Sequence, residues 1–120
     1  MVHEVRYDAA NEVAVLEFKN HFLLVDVEPI FQLVKEILEG KPYRQLIVIM
    51  SNNHDIENRE TREATTGALS RLSIANIGFV GGNAANRMIA RVLIKTGMVK
   101  LNGEFFKNYD EAAAWLKSKR

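Results

Sequence analysis

The stretch Leu46-Ile47-Val48-Ile49-Met50 decides the fold class of this chain. It is a continuous apolar run without polar alternation, which is the pattern of a strand covered on both faces. Strands of that kind occur in parallel sheets that carry helices on either side. The run therefore predicts the centre of a parallel sheet in an α/β protein.

Two more strands are predicted ahead of this run. Val2 to Tyr7 and Val13 to Phe18 have strand patterns, and the turn residues Asp8 to Asn11 separate them. The short connection brings the two strands together side by side. We therefore expect an antiparallel hairpin at the N-terminus.

A helix is predicted between the hairpin and the central run. Asp26 is its expected N-cap, Pro29 suits its first turn, and Gly40 ends it in a left-handed conformation. The residues between them keep the spacing of one buried helical stripe. The members of this stripe are Ile30, Leu33, Val34, Ile37 and Leu38.

The chain after the central run continues to alternate helices and strands. A helical pattern runs from Glu57 to Leu72, and Ile74 to Val80 forms another buried strand. The small and apolar residues of the helix share one face, which suggests close packing on the sheet. These residues are Thr61, Ala64, Thr65, Ala68, Leu69 and Leu72.

Two more helices and one strand complete the chain. Asn83 caps a helix that ends near Gly97, Glu104 to Phe106 is the last strand, and Asp110 caps a terminal helix. The inward residues of the first helix are Met88, Ile89, Val92 and Leu93, and those of the second are Ala112, Ala113, Trp115 and Leu116. The predicted order is ββαβαβαβα, with four helices and a mixed five-stranded sheet whose strands are parallel after the hairpin.

The composition fits one globular domain over residues 1–120. Apolar side chains make up 48% of the 120 residues, and no apolar run approaches the ~20 residues that span a bilayer. The absence of cysteine excludes disulfides, thiol nucleophiles and cysteine-bearing metal sites. Residues 1–6 contain no apolar signal segment, so we expect a cytoplasmic protein without a transmembrane segment.

Charge is distributed unevenly along the chain. Residues 1–60 hold 6 Lys and Arg against 11 Asp and Glu, a net charge of −5, whereas residues 61–120 hold 10 against 4, a net charge of +6. Such asymmetry can produce a surface that self-associates or that meets an acidic partner. The alternative is that folding mixes the two sets of charges over one surface. A homodimer is therefore one of the associations that we consider.

The strand order, the length and the C-terminal sequence resemble those of one superfamily. The ending Phe105-Phe106-Lys107-Asn108-Tyr109-Asp110-Glu111-Ala112-Ala113-Ala114-Trp115-Leu116 carries most of the resemblance, together with Glu60-Thr61-Arg62 and Ile77-Gly78-Phe79-Val80. The chain is similar to the STAS or anti-sigma-factor-antagonist-like superfamily. Within it, the chain looks like the small bacterial proteins described as STAS/SEC14-like.

The resemblance implies a binding and switching module rather than an enzyme. Antagonists of this superfamily are switched by phosphorylation of a Ser or Thr in an Asp-Ser-type motif after the third strand. This chain has no Asp-Ser or Asp-Thr dipeptide there, and Ser51 and Thr61 are the only substitutes. We therefore expect that the usual phosphorylation switch is not used. The SEC14-like resemblance implies a lipid or another small hydrophobic ligand.

The residues that follow two buried strands form the first candidate site, here called the rim. In parallel sheets the carboxyl ends of the strands and the N-termini of the helices gather on one side, where an anion is favoured. The alternative is an ordinary pair of turns with a helix cap. The rim comprises Ser51, Asn52, Asn53, His54 and Asp55 after one strand and Gly81, Gly82 and Asn83 after the other, with Thr61 in the helix between them.

Arg87, Arg91 and Lys95 form the second candidate site, because their spacing puts three cations on one helical face. This face could meet phosphates, an acidic protein or anionic lipid, or it could simply be solvated. The low net charge and the lack of nearby aromatic residues argue against nucleic acid.

The remaining residues of interest favour structural roles. The three histidines, His3, His21 and His54, lie far apart in sequence and are expected at the surface or at strand ends rather than on a metal. Trp115 is expected in the core.

Two functional hypotheses follow from these patterns. The first is a non-enzymatic regulatory or protein-interaction module of STAS type, which presents the rim to a protein partner. The alternative is a carrier or sensor of a small anionic or lipid-like ligand held between the rim loops. No cofactor and no catalytic residue is assigned under either hypothesis.

Overall fold

The central apolar run forms the middle strand of a sheet. The computed structural model of the protein describes residues 3–19, 21–50, 59–81 and 102–120, without the side chains of Arg62 and Asn102. In chain order the described elements are β1 (Glu4–Asp8), β2 (Val13–Phe18), α1 (Leu24–Leu38), β3 (Gln45–Met50), α2 (Arg59–Arg71), β4 (Asn76–Gly81), β5 (Asn102–Phe106) and α3 (Tyr109–Ser118).

The five strands lie side by side in sequence order. β1 pairs with β2 in the antiparallel sense, and every later neighbour pair is parallel. The predicted α/β fold, with an N-terminal hairpin and a parallel remainder, is therefore confirmed. The helix predicted from Asn83 to Gly97 lies outside the described residues.

Alternate residues of β2, β3, β4 and β5 contribute to two apolar cores, one on each face of the sheet. The core beneath α1 and α2 takes Leu16 from β2, Val48 from β3 and Ile77 from β4. The core beneath α3 takes Val15 from β2 and Ile47 from β3. This double cover explains why the apolar run of β3 shows no alternation.

The start of α1 differs from the sequence prediction. The N-cap is Leu23, and Asp26 is the third helical residue, whose carboxylate accepts the Leu23 N–H at 3.1 Å. Pro29 consequently lies inside the helix rather than in its first turn. The predicted end is correct, because Gly40 has a φ of +75° just beyond the helix.

The buried stripe of α1 is shifted from the predicted one. Val34, Ile30 and Leu38 are buried as expected, but Leu33 is 38% exposed and Phe31 is buried in its place. The stripe that includes Phe31 is turned toward α2, and α1 packs against α2. Leu33 is consequently left in partial contact with solvent.

α3 packs tightly on the second face of the sheet. Its N-cap is Asn108, not the predicted Asp110, because the Asn108 Oδ1 accepts the Glu111 N–H at 2.9 Å. Ala112 lies against Gly78 of β4, where a Cβ in place of the glycine hydrogen would stand 3.3 Å from the Ala112 Cβ. Of the predicted docking residues, Ala112, Ala113 and Leu116 are buried, whereas Trp115 is half-buried.

None of the helices in the described segments combines the length and the apolar character that a membrane crossing requires.

Candidate functional site

The sequence predicts the rim at the carboxyl edge of the parallel strands. β2, β3 and β4 end there at Phe18, Met50 and Gly81, and α1 begins there at Leu24. Most of the predicted site residues fall outside the described part of the chain. They are Ser51, Asn52, Asn53, His54, Asp55, Gly82, Asn83, Arg87, Arg91 and Lys95.

Thr61 is one of the two predicted site residues that the structure describes. It lies in the first turn of α2 and is 0% exposed. Its carbonyl oxygen accepts the Thr65 hydroxyl at 2.8 Å. Because the side chain faces the core, neither a kinase nor a partner reaches its hydroxyl in this conformation. The inward position predicted from the helical pattern is correct, and it is incompatible with a contact at the surface of the rim.

Gly81 is the other described member of the rim. Its φ is +77°, and a Cβ at this position would stand 2.8 Å from the Met50 carbonyl oxygen. An L side chain is therefore disfavoured both by the backbone conformation and by the contact with β3. The structure thus gives Gly81 a backbone role at the end of β4.

His3 lies at the same edge, immediately before β1, which agrees with the strand-end position that the sequence predicts, but its side chain is buried. Its Nδ1 accepts the Lys19 backbone N–H at 3.3 Å, so the ring proton belongs on Nε2. That Nε2 lies 3.1 Å from the His21 carbonyl oxygen and 3.4 Å from the Asp26 Oδ2. Of the other histidines, His21 is exposed and His54 lies outside the described residues.

Aromatic rings enclose the His3 side chain. Phe18 and Phe22 meet it edge to face at centroid distances of 5.4 and 5.7 Å. His3 therefore joins the end of β2, the segment around His21 and the first turn of α1. Sequence reasoning missed this role because the partners of His3 are mostly backbone atoms distant in sequence.

The contacts of Asp26 extend this arrangement to the surface. Its Oδ2 accepts the Leu23 N–H, while its own N–H donates to the Leu23 carbonyl at 2.9 Å. This reciprocal cap fixes the direction in which the chain enters α1. Leu23 and Val25, on either side of the helix start, are consequently held in place rather than left on a loose loop.

An exposed apolar strip begins at this point and runs along α1. We call it the α1 strip and define it by Leu23, Val25, Pro29 and Leu33. Val25 is 77% exposed, Leu23 is 39% exposed and Leu33 is 38% exposed, and Pro29 is also exposed. Leu23, Val25 and Leu33 are the exposed large hydrophobic residues found within the described segments.

The spacing of the α1 strip makes it continuous. Val25, Pro29 and Leu33 follow one another at i, i+4 and i+8, which aligns them on the helix surface. Pro29 has no N–H, so the Val25 carbonyl lacks its helical donor and is an additional acceptor beside the apolar surface. The sequence contains the same spacing, but its helical pattern predicts Leu33 in the buried stripe.

Acidic side chains border the α1 strip. Glu28 and Glu36 are exposed on the same helix, and the half-buried Asp26 lies at its start. Lys35 is the basic residue of the last turn of α1. The outer surface of α1 therefore combines apolar side chains with a net negative charge.

The outer edge of the hairpin, which pairs with no other strand among the described residues, has a different character. On β1 the Glu4 carboxylate lies 2.9 Å from the Lys19 ammonium, and Arg6 lies 3.2 Å from Glu17. The hydrogen bond from Lys19 is the main cause that lowers the pKa of Glu4. Charged side chains on a short edge strand oppose pairing with another strand, so this edge does not favour a dimer through β1.

Comparison with known proteins gives no further assignment: no protein-family model matches the chain, and no curated protein matches its sequence. Among the described residues, no group of three or more His, Asp or Glu side chains is arranged to hold a metal ion.

Proposed function

We propose that this protein is a non-enzymatic regulatory or protein-interaction module of STAS type, which binds a protein partner through the α1 strip. The proposal rests above all on the 77% exposure of Val25 on a helix whose other face is closely packed. A single exposed apolar residue is ordinary in globular proteins, whereas a contiguous apolar surface marks an interaction site. The alignment of Val25 with Pro29 and Leu33 supplies that contiguity.

The composition of the strip indicates the chemistry of the partner. Its apolar residues favour a surface with aliphatic or aromatic side chains, and burying a Val or Leu side chain contributes roughly 1.5–3 kcal/mol. Glu28 and Glu36 on the same helix favour basic residues around that apolar surface. We therefore expect a partner with an apolar groove that is lined by Lys or Arg.

The proposal includes no phosphorylation switch of the usual kind. The segment after β3 lacks an Asp-Ser or Asp-Thr dipeptide, and Thr61 is fully buried. In this proposal, partner binding is controlled by the amount or the state of the partner. Intact-mass analysis of protein from its native host should accordingly show no dominant species with one phosphate on Ser51 or Thr61.

The direct test is a capture experiment with matched charge variants. Val25→Asp adds a carboxylate to the α1 strip at a position in the first helical turn where the helix dipole tolerates it. Ser70→Asp adds the same charge at an exposed position of α2. Tagged wild-type protein and both variants are incubated with the native host extract, and the retained proteins are identified by mass spectrometry.

The proposal predicts one set of proteins that wild type and Ser70→Asp retain and that Val25→Asp loses. Equal melting temperatures of the three proteins would show that folding does not cause the loss. Identical retention by all three proteins would contradict the proposed surface. A small molecule bound to the purified protein, without any retained protein, would favour the carrier alternative instead.

A further inference from the structure

A pocket of about 240 Å³ opens between α1 and α2, and no residue of the α1 strip is part of its lining. Phe31 and Lys35 of α1 line one side, and Arg71 and Leu72 at the end of α2 line the other. Arg44, which immediately precedes β3, completes the wall toward the amino edge of the sheet. The pocket therefore lies at the opposite end of the strands from the predicted rim.

The charges around this pocket are unbalanced. Lys35, Arg44 and Arg71 contribute three cations, against the single carboxylate of Glu28. The Arg71 Nη2 lies 3.6 Å from the Glu28 Oε1, and both side chains are largely exposed, so this ion pair contributes little. Lys35 has no ion pair within the described residues. The pocket thus retains positive charge that its own acidic residue does not neutralise.

Arg44 has a more constrained position than the other two cations. Its Nη2 donates to the Leu72 carbonyl oxygen beyond the last turn of α2. This contact ties the guanidinium to the pocket wall while leaving its remaining N–H groups for other acceptors. A fixed guanidinium loses less side-chain entropy on meeting an oxyanion than a free one does.

The pocket also has an apolar side. Phe31 and Leu72 are buried core residues that contribute to its lining. A pocket lined by both cations and apolar side chains is complementary to a molecule with an oxyanion at one end and a short apolar group at the other. The volume is below the ~300–1,000 Å³ typical of drug-sized ligands, which limits the size of the ligand.

We propose that this pocket binds a small organic phosphate or carboxylate whose oxyanion meets Lys35 and Arg71 and whose apolar group contacts Phe31 and Leu72. This inference does not rest on the partner surface proposed above, because none of the four residues of the α1 strip lines the pocket; Glu28 borders both surfaces. It assigns the chain a second, separate binding site.

The test is an NMR titration of isotopically labelled protein at constant ionic strength, with butyl phosphate and inorganic phosphate as probes. The double variant Lys35→Ala with Arg71→Ala removes two cations without disturbing the Arg44 contact. Lys107→Ala with Lys117→Ala removes two exposed cations elsewhere and is the matched control. The melting temperatures of both variants check that each is folded.

We expect saturable shifts at residues of α1 and at the end of α2 with both probes. Butyl phosphate should bind more tightly, by about fourfold for each methylene that is buried. The pocket variant should weaken binding at least tenfold, since charge-assisted hydrogen bonds are lost, and the control should change it less than about twofold.

Three results would overturn the inference. The first is that neither probe gives saturable shifts. The second is that both double variants lose the same affinity. The third is equal affinity for butyl phosphate and inorganic phosphate, which would remove the apolar part of the proposed ligand. Each result concerns the pocket alone, so the partner surface on α1 stands or fails separately.

Discussion

The Tyr109 hydroxyl donates a hydrogen bond of 2.5 Å to the Asp8 Oδ2, which joins two residues 101 positions apart in the chain. This bond connects the start of α3 to the end of β1. Asp8 also accepts hydrogen bonds from the Asn11 backbone N–H at 3.2 Å and from the Asn11 Nδ2 at 2.7 Å. One carboxylate thus closes the hairpin turn and holds the terminal helix across the sheet.

This contact predicts a specific dependence of stability on pH. The hydrogen bond from Tyr109 is the main cause that lowers the pKa of Asp8. Burial, followed by the bond to Asp8, raises the pKa of Tyr109. The Asp8 contribution is therefore present above its unfolded pKa of about 3.9 and is lost as the pH falls through the folded value. The Tyr109 contribution is present below about pH 10 and is lost as the pH rises through its own folded value.

Tyr109→Phe should lower the free energy of unfolding by roughly 1 kcal/mol at neutral pH, since it removes this hydrogen bond while keeping the ring. Urea unfolding at about pH 7 and about pH 2 measures the difference from wild type. We expect the difference to shrink as the pH falls and protonation of Asp8 removes the ionised acceptor of this hydrogen bond. An undiminished difference at acid pH would show that the ionised carboxylate is not the important partner.

Gln45 should be more sensitive to substitution than its exposed counterparts. It is 2% exposed, and its Nε2 donates to the Asn76 Oδ1 at 3.1 Å and to the Leu116 carbonyl oxygen at 2.8 Å. Gln45→Leu removes this donor from both acceptors. The Leu116 carbonyl keeps the Lys119 N–H at 3.1 Å, so we expect a loss of about 1–3 kcal/mol, mainly from the buried Asn76 Oδ1.

Gln32→Leu is the control for this prediction, because Gln32 is exposed on α1 and its amide donates to Glu36 at 3.3 Å. It should change the free energy of unfolding by less than about 0.5 kcal/mol. Denaturant unfolding of both variants makes the comparison. Similar values for the two substitutions would mean that the buried amide contributes no more than an exposed one.

Two glycines with left-handed backbone conformations allow the stability cost of the conformation to be separated from the cost of a steric clash. Gly40 and Gly81 have φ values of +75° and +77°, but a Cβ at Gly40 meets nothing within 4 Å, whereas one at Gly81 meets the Met50 carbonyl oxygen at 2.8 Å. Both Gly→Ala variants should lose about 1–2 kcal/mol to the backbone conformation. Thermal unfolding should show a clearly larger loss of stability for Gly81→Ala than for Gly40→Ala. Equal losses would refute the contact with the Met50 carbonyl of β3.

The strands and the sheet could be predicted from the sequence because their signal is local. The predicted strand from Val13 to Phe18 has the observed boundaries. The observed β3 is longer than the predicted central strand by one residue, Gln45. Apolar runs bounded by turn residues are sufficient for such a prediction. The parallel order follows from helices between consecutive strands.

The start of α1 and the exposure of the α1 strip could not be predicted as readily, because both depend on contacts distant in sequence. Asp is a residue type that N-caps prefer, yet Asp26 is the third residue of the helix. There its carboxylate contacts His3 and accepts the Leu23 N–H. Leu33 satisfies the helical period equally well inside or outside the core. Which apolar positions are covered depends on where α2 packs on α1, and no local pattern contains that information.

The central claim is that the α1 strip contacts a protein partner in the cell. A photo-crosslinking amino acid placed at Val25 tests it most directly, with the same amino acid at the exposed Ser70 of α2 as the control. We predict one dominant crosslinked protein in the native host from position 25 and none from position 70. Equal or absent crosslinking at the two positions, with both proteins folded, would contradict the account.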